Sequence, residues 1–381
     1  MKLIVEPHDG ARPLLSAIEH ARKSVDLVIF RLDREDIEAA LKAAVQRGVR
    51  VTALIAHTNR GGEKNLRRLE YRFLEAGITV MRSADDLIRY HDKFILIDER
   101  ALYLLSFNFT HLDIERSRGF GVATRNAKVV QEAAKLFRAD CSRKPYVPAT
   151  DAMVVSPENA RKVLGAFLGR AKKQLLIYDP KISDGEMLGI LRERSEAGVE
   201  VLVIGKCAGR ERFVSRKLAG AQLHTRTIIR DRSQAFIGSQ SLRAAELDSR
   251  RELGLIVRDS KVVKRLLDVF ESDWNSAEAK PKREATGALE VPEVVAPNSE
   301  GHKAAAEEEQ DKEKAVETLV KELNPLAQTV KTVVRKAVKR AGEDVLADRQ
   351  VKDTMKKVVK KAVKTAVKEV VEESGRNGHA G

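Results

Sequence analysis

Two short segments of the chain carry a histidine, a cation and an aspartate at the same spacing. The first is HDKFILID at His91–Asp98, and the second is HTRTIIRD at His224–Asp231. In an extended strand residues two apart share a face, so His91 and Lys93 should point the same way. Such a pair suits phosphodiester chemistry, because the imidazole can attack phosphorus or protonate a leaving oxygen while the ammonium neutralises the phosphoryl oxygens. Asp98 has the opposite parity, which favours a supporting ion pair over contact with the same ligand.

The two motifs belong to an internal repeat of the chain. At the same offset of 133 residues, Ser106 pairs with Ser239 and Asp140 pairs with Asp273. Further upstream, RGVRVTALI matches AGVEVLVIG at an offset of 150, so the first copy contains an insertion before its motif. Agreement at so many positions indicates a duplication, with one copy in each half of the body.

Each copy has the pattern of helices alternating with short apolar strands. Periodic helices precede apolar strands such as VDLVIF and QLLIYD, and a long amphipathic helix closes each copy. This alternation predicts an α/β fold with helices on both faces of the sheet.

Downstream of each motif lies a short segment that contains serine. Six residues separate Asp98 from LSFN (105–108), and six separate Asp231 from GSQS (238–241). HxKxxxxD followed by six residues and GSxN is the pattern of the phospholipase D superfamily, which the chain resembles over residues 1–279. The resemblance implies two half-domains that form a pseudo-dimer with one shared active site. It also implies that one histidine forms a phosphohistidine and the other protonates the leaving group, with no metal or other cofactor.

The sequence departs from the superfamily pattern at four positions. Arg226 stands in place of the second lysine, Ser241 in place of the second asparagine, and Leu105 in place of the first glycine. Gly119 stands where the second copy has Glu252, so the first copy has lost the carboxylate that orients a histidine. Arg226 keeps a positive charge and can bind a phosphate through two N–H groups, whereas Ser241 is shorter and lacks an amide donor.

The more complete first motif predicts the roles of the two histidines. His91 is expected to be the nucleophile, because its own copy retains Lys93 and Asn108 to hold the phosphoryl group. His224 is expected to be the acid. Glu252 can orient one of the two imidazoles, and the sequence leaves open which one. The predicted catalytic residues are His91, Lys93, Asp98, His224, Arg226 and Asp231, and the predicted phosphate-binding or supporting residues are Ser106, Asn108, Ser239, Ser241 and Glu252.

Four segments follow from the repeat and from a change in composition. They are a first half over 1–146, a second half over 147–279, a linker over 280–305 and a basic helical tail over 306–381. The linker is rich in Pro, Ala, Glu and Lys without periodicity, which is typical of disorder. Within the tail, Val351–Val370 has apolar residues at helical spacing and lysines on the other side. Such a helix is typical of self-association as a coiled coil, of a solvated helix, or of binding to an acidic membrane surface or to nucleic acid.

Composition restricts the classes of function. A net charge of +14 favours anionic partners, such as the phosphates of lipids or nucleic acids. Cys141 and Cys207 are too few for a disulfide framework or a thiolate zinc site. No apolar run reaches the ~18 residues needed to cross a bilayer. The expected location is the cytoplasm, with peripheral attachment at the inner membrane as an option.

The leading hypothesis is a phospholipase D-like phosphodiesterase that hydrolyses or transfers the phosphatidyl group of a phospholipid. The runner-up is a nuclease-type phosphodiesterase of the same fold. A third hypothesis, from a different class, is a scaffold that binds phosphate without turnover.

Overall fold

The computed structural model describes residues 1–58, 63–209 and 213–279 of the 381-residue chain. These residues fall within one compact unit, Met1–Glu284. The predicted linker, the tail and its coiled coil lie outside the described residues.

The first half consists of eight strands and five helices within the described residues. In chain order they are β1 (Lys2–Glu6), α1 (Arg12–Glu19), β2 (Ser24–Ile29), α2 (Glu35–Gln46), β3 (Arg50–Ile55), α3 (Glu63–Glu75), β4 (Thr79–Arg82), β5 (Arg89–Tyr90), β6 (Phe94–Ile97), β7 (Ala101–Leu105), α4 (His111–Glu115), β8 (Ser117–Thr124) and α5 (Ala127–Ser142).

The second half repeats this order, apart from the insertion helix, over the residues that the structure describes. Its elements are β9 (Met153–Ser156), α6 (Ala160–Gly169), β10 (Gln174–Ile182), α7 (Gly185–Glu196), β11 (Glu200–Cys207), β12 (Val214–Lys217), β13 (Gln222–Leu223), β14 (Arg226–Arg230), β15 (Gln234–Gly238), α8 (Ala244–Asp248), β16 (Arg250–Val257), α9 (Ser260–Ser276) and β17 (Glu278–Ala279).

Each half contains a mixed sheet with the same strand order. In the first half the order is β1-β8-β7-β6-β2-β3-β4, with β2, β3 and β4 parallel and the other neighbours antiparallel. In the second half β9-β16-β15-β14-β10-β11-β12 repeats this arrangement. The central strand β2, SVDLVI, is buried at every position, as a strand covered on both faces requires. The duplicated α/β fold predicted from the sequence is therefore confirmed.

The two halves exchange short strands across their interface. β5 of the first half pairs in parallel with β16, and β13 of the second half pairs in parallel with β8. The backbone then continues directly into the two motifs. His91 N–H donates to the carbonyl oxygen of Arg251 at 2.8 Å, and His224 N–H donates to that of Arg118 at 3.1 Å. Each histidine is thus anchored to the opposite half.

Two ion pairs also connect the halves, each between an arginine of one half and an aspartate of the other. Arg251 of the second half pairs with Asp140 at 3.0 Å, and Arg118 of the first half pairs with Asp273 at 2.8 Å. Asp140 and Asp273 are the repeated aspartates of the closing helices α5 and α9. Removing one partner from such a buried pair costs about 3–5 kcal/mol, so these contacts fix the alignment of the halves.

Three hydrophobic clusters account for most of the core. One cluster lies between the halves and includes α5, α9 and the inner faces of both sheets, where Phe120 packs edge-on against Tyr178 with ring centroids 5.4 Å apart. The other two lie on the outer face of each sheet, beneath α1 and α2 in the first half and α6 and α7 in the second. The sheets are therefore held rigidly on both sides, which positions the strand ends that carry the motifs. Among the described residues, no helix is both long enough and apolar enough to span a membrane.

Candidate active site

The two histidines lie just before β6 and β14, which occupy equivalent positions in the two sheets. Both motifs lie at the interface of the halves, since Nδ1 of His91 lies 2.9 Å from Glu252 of the second half and Nδ1 of His224 lies 3.2 Å from Asp113 of the first. After desolvation, charges from both motifs, Lys93 and Arg226, lower the pKa of both histidines. The structure therefore brings together the histidine and the cation of both motifs.

His91 is oriented by a carboxylate from the opposite half. Its Nδ1 lies 2.9 and 3.0 Å from the two carboxylate oxygens of Glu252, which is fully buried in β16. The edge of the imidazole contacts Phe30, with ring centroids 4.5 Å apart. When Nδ1–H donates to Glu252, Nε2 is the nitrogen that remains for chemistry. Glu252 therefore orients His91, which answers the question that the sequence left open.

His224 has a carboxylate partner that the sequence analysis did not identify. Its Nδ1 lies 3.2 Å from Oδ1 of Asp113, in α4 of the opposite half. Asp113 is 4% exposed, and Nε2 of His224 is buried without a hydrogen-bond partner among the described residues. The first half thus supplies a histidine-orienting carboxylate after all, from a different position. A signal was present in the repeat, because Glu246 is the acidic counterpart of Asp113 at an offset of 133.

The position equivalent to Glu252 is closed to any larger side chain in the first half. A Cβ atom on Gly119 would lie 2.8 Å from Cδ1 of the buried Phe107. The second half has Gln240 at the position of Phe107. Phenylalanine therefore fills the space that a carboxylate at residue 119 would need, and Asp113 approaches His224 by another route.

Asn108 holds Asp113 in place. Its backbone N–H and its side-chain Nδ2 both donate to Oδ2 of Asp113, at 2.8 and 2.7 Å. In the second half, the backbone N–H of Ser241 donates to Glu246 at 2.8 Å, but Glu246 pairs with Arg243 and Arg250 instead of a histidine. Where the first half has Asn108, the neighbouring carboxylate Asp113 contacts a histidine; where the second half has Ser241, the equivalent carboxylate Glu246 pairs with arginines.

The two cations occupy equivalent positions. Lys93 donates to the carbonyl oxygen of His91, and Nη1 of Arg226 donates to the carbonyl oxygen of His224 at 2.5 Å. Nε of Arg226 also donates to Oγ of Ser241 at 3.2 Å. Arginine therefore reproduces the anchoring contact of lysine and keeps further N–H groups for a ligand.

Burial controls the charges of the site. Desolvation first, and then Lys93 and Arg226, hold the pKa of His91 well below its ordinary value. Desolvation, Arg226 and Lys93 do the same for His224. Desolvation lowers the pKa of Lys93 to about 7, against an opposing effect of Glu252. In the absence of a ligand both imidazoles are therefore neutral at pH 7, as a nitrogen nucleophile must be.

Asp98 and Asp231 lie at the far ends of β6 and β14, away from the histidines. Asp98 accepts hydrogen bonds from the backbone N–H groups of residues 22–24, and Asp231 from those of residues 172–174. Both residues have positive φ, 55° and 50°, and each begins a two-residue turn between antiparallel strands. The expected ion pair is therefore corrected, because their partners are backbone amides and their position is that of a turn residue.

Ser106 and Ser239 are fully buried and bonded to the backbone. Oγ of Ser106 accepts from Phe120 N–H at 3.0 Å, and Oγ of Ser239 accepts from Leu253 N–H at 3.1 Å. These contacts connect the hairpin β6–β7 to β8 in the first half, and the hairpin β14–β15 to β16 in the second. Within residues 1–58, 63–209 and 213–279, no group of three or more His, Cys, Asp or Glu side chains could hold a metal ion.

Comparisons with known proteins agree with this architecture. The family model described as "Cardiolipin synthase, PLD-like domain" matches residues 14–141 and 164–274, one segment in each half. No curated protein sequence matches the chain.

Two solved structures share the fold at low sequence identity. Polyphosphate kinase from Porphyromonas gingivalis aligns with a TM-score of 0.61 and 23% identity, over 72% of this chain and 50% of that chain. Phosphatidylserine synthase from Haemophilus influenzae Rd KW20 aligns with a TM-score of 0.55 and 11% identity, over 73% of this chain and 87% of that chain. The chain thus spans half the length of the polyphosphate kinase. Because the family model covers more than half of the sequence, the chain belongs to the phospholipase D-like family, with one family repeat in each of its two halves.

Proposed function

We propose that the protein is a phosphodiesterase or phosphatidyltransferase that uses His91 and His224 at one shared site. The observation that carries the proposal is the reciprocal orientation of two buried imidazoles, each bound at Nδ1 by a carboxylate of the opposite half. Structural roles alone do not require two neutral histidines to face two cations in one buried site. Membership of the phospholipase D-like family supports the same chemistry.

In the proposed first step, Nε2 of His91 attacks phosphorus. A P–N bond forms, the bond from phosphorus to the leaving oxygen breaks, and Nε2–H of His224 protonates that oxygen. Glu252 accepts a hydrogen bond from Nδ1–H of His91, which keeps its proton, and the carboxylate stabilises the positive charge that develops on the ring. Lys93 and Arg226 neutralise the phosphoryl oxygens. A bound phosphodiester is anionic, so it raises the pKa of His224 toward the range in which an acid can act.

In the proposed second step, water or an alcohol attacks the phosphohistidine. His224, now neutral, takes the proton of the attacking hydroxyl, and the P–N bond breaks to regenerate His91. Asp113 holds His224 in the tautomer that presents Nε2 to the substrate in both steps. Water as acceptor gives hydrolysis, and a lipid or glycerol hydroxyl gives transfer.

The proposed substrate is the phosphatidyl group of a phospholipid. A nucleic-acid phosphodiester is the second candidate, because the net charge of +14 favours anionic polymers as well as lipid phosphates. Labelled phosphatidylcholine, cardiolipin and single-stranded DNA should be incubated with purified protein in the presence of a chelator, beside the small diester bis(p-nitrophenyl) phosphate.

Turnover of any of these diesters that is lost in His91→Asn supports the proposal, and the substrate consumed identifies the class. A lack of turnover on all four, with the protein folded, would favour the non-catalytic scaffold. Turnover that survives in His91→Asn would show that the reaction does not use this site.

A further inference from the structure

Four depressions that share lining residues lie around Tyr103 and Met1, and we call them together the distal groove. The depressions have volumes of about 320 to 640 Å³ each. Tyr103 lines three of them, all in the first half. Met1 lines one of these three and also the fourth depression, which is formed mainly by the second half. Strand β7, the ends of β1 and β8, and helices α1 and α6 form its walls.

The distal groove is separate from the candidate active site. Asp98 lines it, and Asp98 follows the end of β6 that is remote from His91. Seven residues of extended chain span about 23 Å at about 3.3 Å per residue. Neither His91 nor His224 lines any of the four depressions, so a ligand held in them lies apart from the two imidazoles.

The groove is lined by lysines and arginines that lack carboxylate partners. Nine such residues contribute to it: Lys2, Arg12, Arg22, Arg100, Arg125, Lys162, Arg170, Arg230 and Arg258. Among the residues that the structure describes, none of the nine lies within ion-pair distance of a carboxylate. By contrast, Arg161 pairs with three carboxylates at once, on Asp184, Glu186 and Asp248.

The carboxylates that line the groove are largely occupied by other groups. Asp9 pairs with Arg265, Asp98 binds three backbone N–H groups, and Asp259 pairs with the amino terminus at 3.0 Å. Burial lowers the pKa of Arg230; Asp231 opposes this effect, and the neighbouring cations Arg170 and Arg258 add to it. Nine cations line the groove against four carboxylates (Asp9, Asp98, Asp151 and Asp259), so its lining carries an excess of positive charge.

The basic lining is present in both copies of the repeat. Arg125 and Arg258 are equivalent at an offset of 133, and Arg12 and Lys162 at the upstream offset of 150. Both copies therefore place cations at matching points, and the two sets adjoin at Met1 in one path. A row of cations along a path fits an elongated ligand with regularly spaced negative charges.

We propose that the distal groove binds single-stranded nucleic acid. A basic groove that follows a phosphate backbone, with aromatic rings against which bases stack, is the usual arrangement for strands bound without sequence preference. Tyr103 supplies a half-buried ring at the point where three of the depressions meet. A concave path with its cations on the walls suits a strand better than the flat surface of a bilayer. This binding goes beyond the proposed catalytic function and does not depend on it.

The test measures fluorescence anisotropy of a labelled single-stranded 20-mer with the full chain, over 50–200 mM salt. In the double variant Arg125→Glu/Arg258→Glu, two phosphate contacts are lost, so affinity at low salt should fall at least about tenfold and the log–log salt slope by about 1.4. Both residues are exposed, so folding should be unaffected. The charge-matched comparison is between the single reversals Arg125→Glu and Lys144→Glu; Lys144 is an exposed cation at the other end of α5, and its variant should bind as the wild type does.

Three results would overturn the proposal. Unchanged binding in the double variant would place the oligonucleotide elsewhere on the chain. A loss of affinity in Lys144→Glu equal to that in Arg125→Glu alone would show that only net charge matters. A double variant that loses sedimentation with phosphatidylglycerol vesicles but retains oligonucleotide binding would make the groove a lipid site. His91→Asn should bind the oligonucleotide normally, so failure of the catalytic proposal would leave this result intact.

Discussion

Asp113 provides the sharpest test of how the site is assembled, because its role follows from one contact in the structure. The Asp113→Asn variant keeps the size of the side chain but removes its negative charge 3.2 Å from Nδ1 of His224. It also leaves an amide facing two donors of Asn108. A hydrogen bond to a charged group contributes about 1.5–3 kcal/mol. At about 1.4 kcal/mol per tenfold, kcat should fall about 10- to 150-fold.

The assay is the steady-state hydrolysis of a small phosphodiester as a function of pH. Because His224 must become protonated to act as the acid, loss of the Asp113 charge should shift the basic limb of the kcat profile to lower pH. KM should change less than kcat, since the contact acts on proton transfer. Thr110→Ala is the matched control: it removes the side-chain cap of the same helix, at 3.2 Å from Asp113 N–H, without a contact to His224. It should lower the melting temperature while kcat and the pH profile stay near those of the wild type.

The repeat also suggests a rescue. Phe107→Gln/Gly119→Glu, introduced into Asp113→Asn, copies the Gln240 and Glu252 arrangement of the second half. Removing the ring eliminates the 2.8 Å contact that blocks a side chain at residue 119. Part of the lost kcat and of the pH shift should return. Wild-type kcat in Asp113→Asn, or an equal loss in Thr110→Ala, would refute the positioning role.

Three further predictions concern other parts of the chain. Arg226→Lys should preserve activity on a soluble diester, whereas Arg226→Ala should reduce kcat by about 10² or more, the scale of losing one preorganised donor; full activity in the alanine variant would remove Arg226 from the site. Burial and Asp140 raise the pKa of Asp92 to about 8, so the contribution of Asp92 to folding stability should fall as pH rises from about 4 to about 8. Thermal melts should accordingly show Asp92→Asn gaining stability over the wild type at pH 9 but not at pH 4, and equal curves would contradict this. Deletion of residues 285–381 should leave the melting of the body and its turnover of bis(p-nitrophenyl) phosphate unchanged, and any effect of the tail should appear in light scattering or vesicle sedimentation.

The sequence predicted the parts of the fold that depend on local pattern. Short apolar runs and periodic helices repeat at offsets of 133 and 150 residues, so the duplicated α/β body could be predicted without coordinates. The parity rule placed His91 and Lys93 on one face and Asp98 on the other. Glu252 could be named as an orienting carboxylate, because its loss at Gly119 made the two copies unequal.

The sequence could not show which groups meet across the interface. The choice of His91 as the partner of Glu252 depends on the exchange of β5 and β13, strands of only two residues that leave no readable pattern. The contact between Asp113 and His224 depends on the same exchange of strands between the halves. The spacing of residues within one segment of the chain does not reveal such a contact. The parity of Asp98 in the strand predicted an ion pair. Its actual role as a turn residue depends on a positive φ, which the motif alone does not indicate.

The measurement that tests the central claim most directly is a rapid acid-free quench of the reaction with a phosphorus-labelled diester, followed by trypsin digestion and mapping of the labelled histidine. Trypsin separates the two candidates, because His91 falls in the peptide Tyr90–Lys93 and His224 in Leu218–Arg226. The account predicts label on Tyr90–Lys93 in the wild type, accumulation of that adduct in His224→Ala, and none in His91→Asn. Label on Leu218–Arg226 would reverse the two roles, and turnover without label on either peptide would contradict a phosphohistidine at this site.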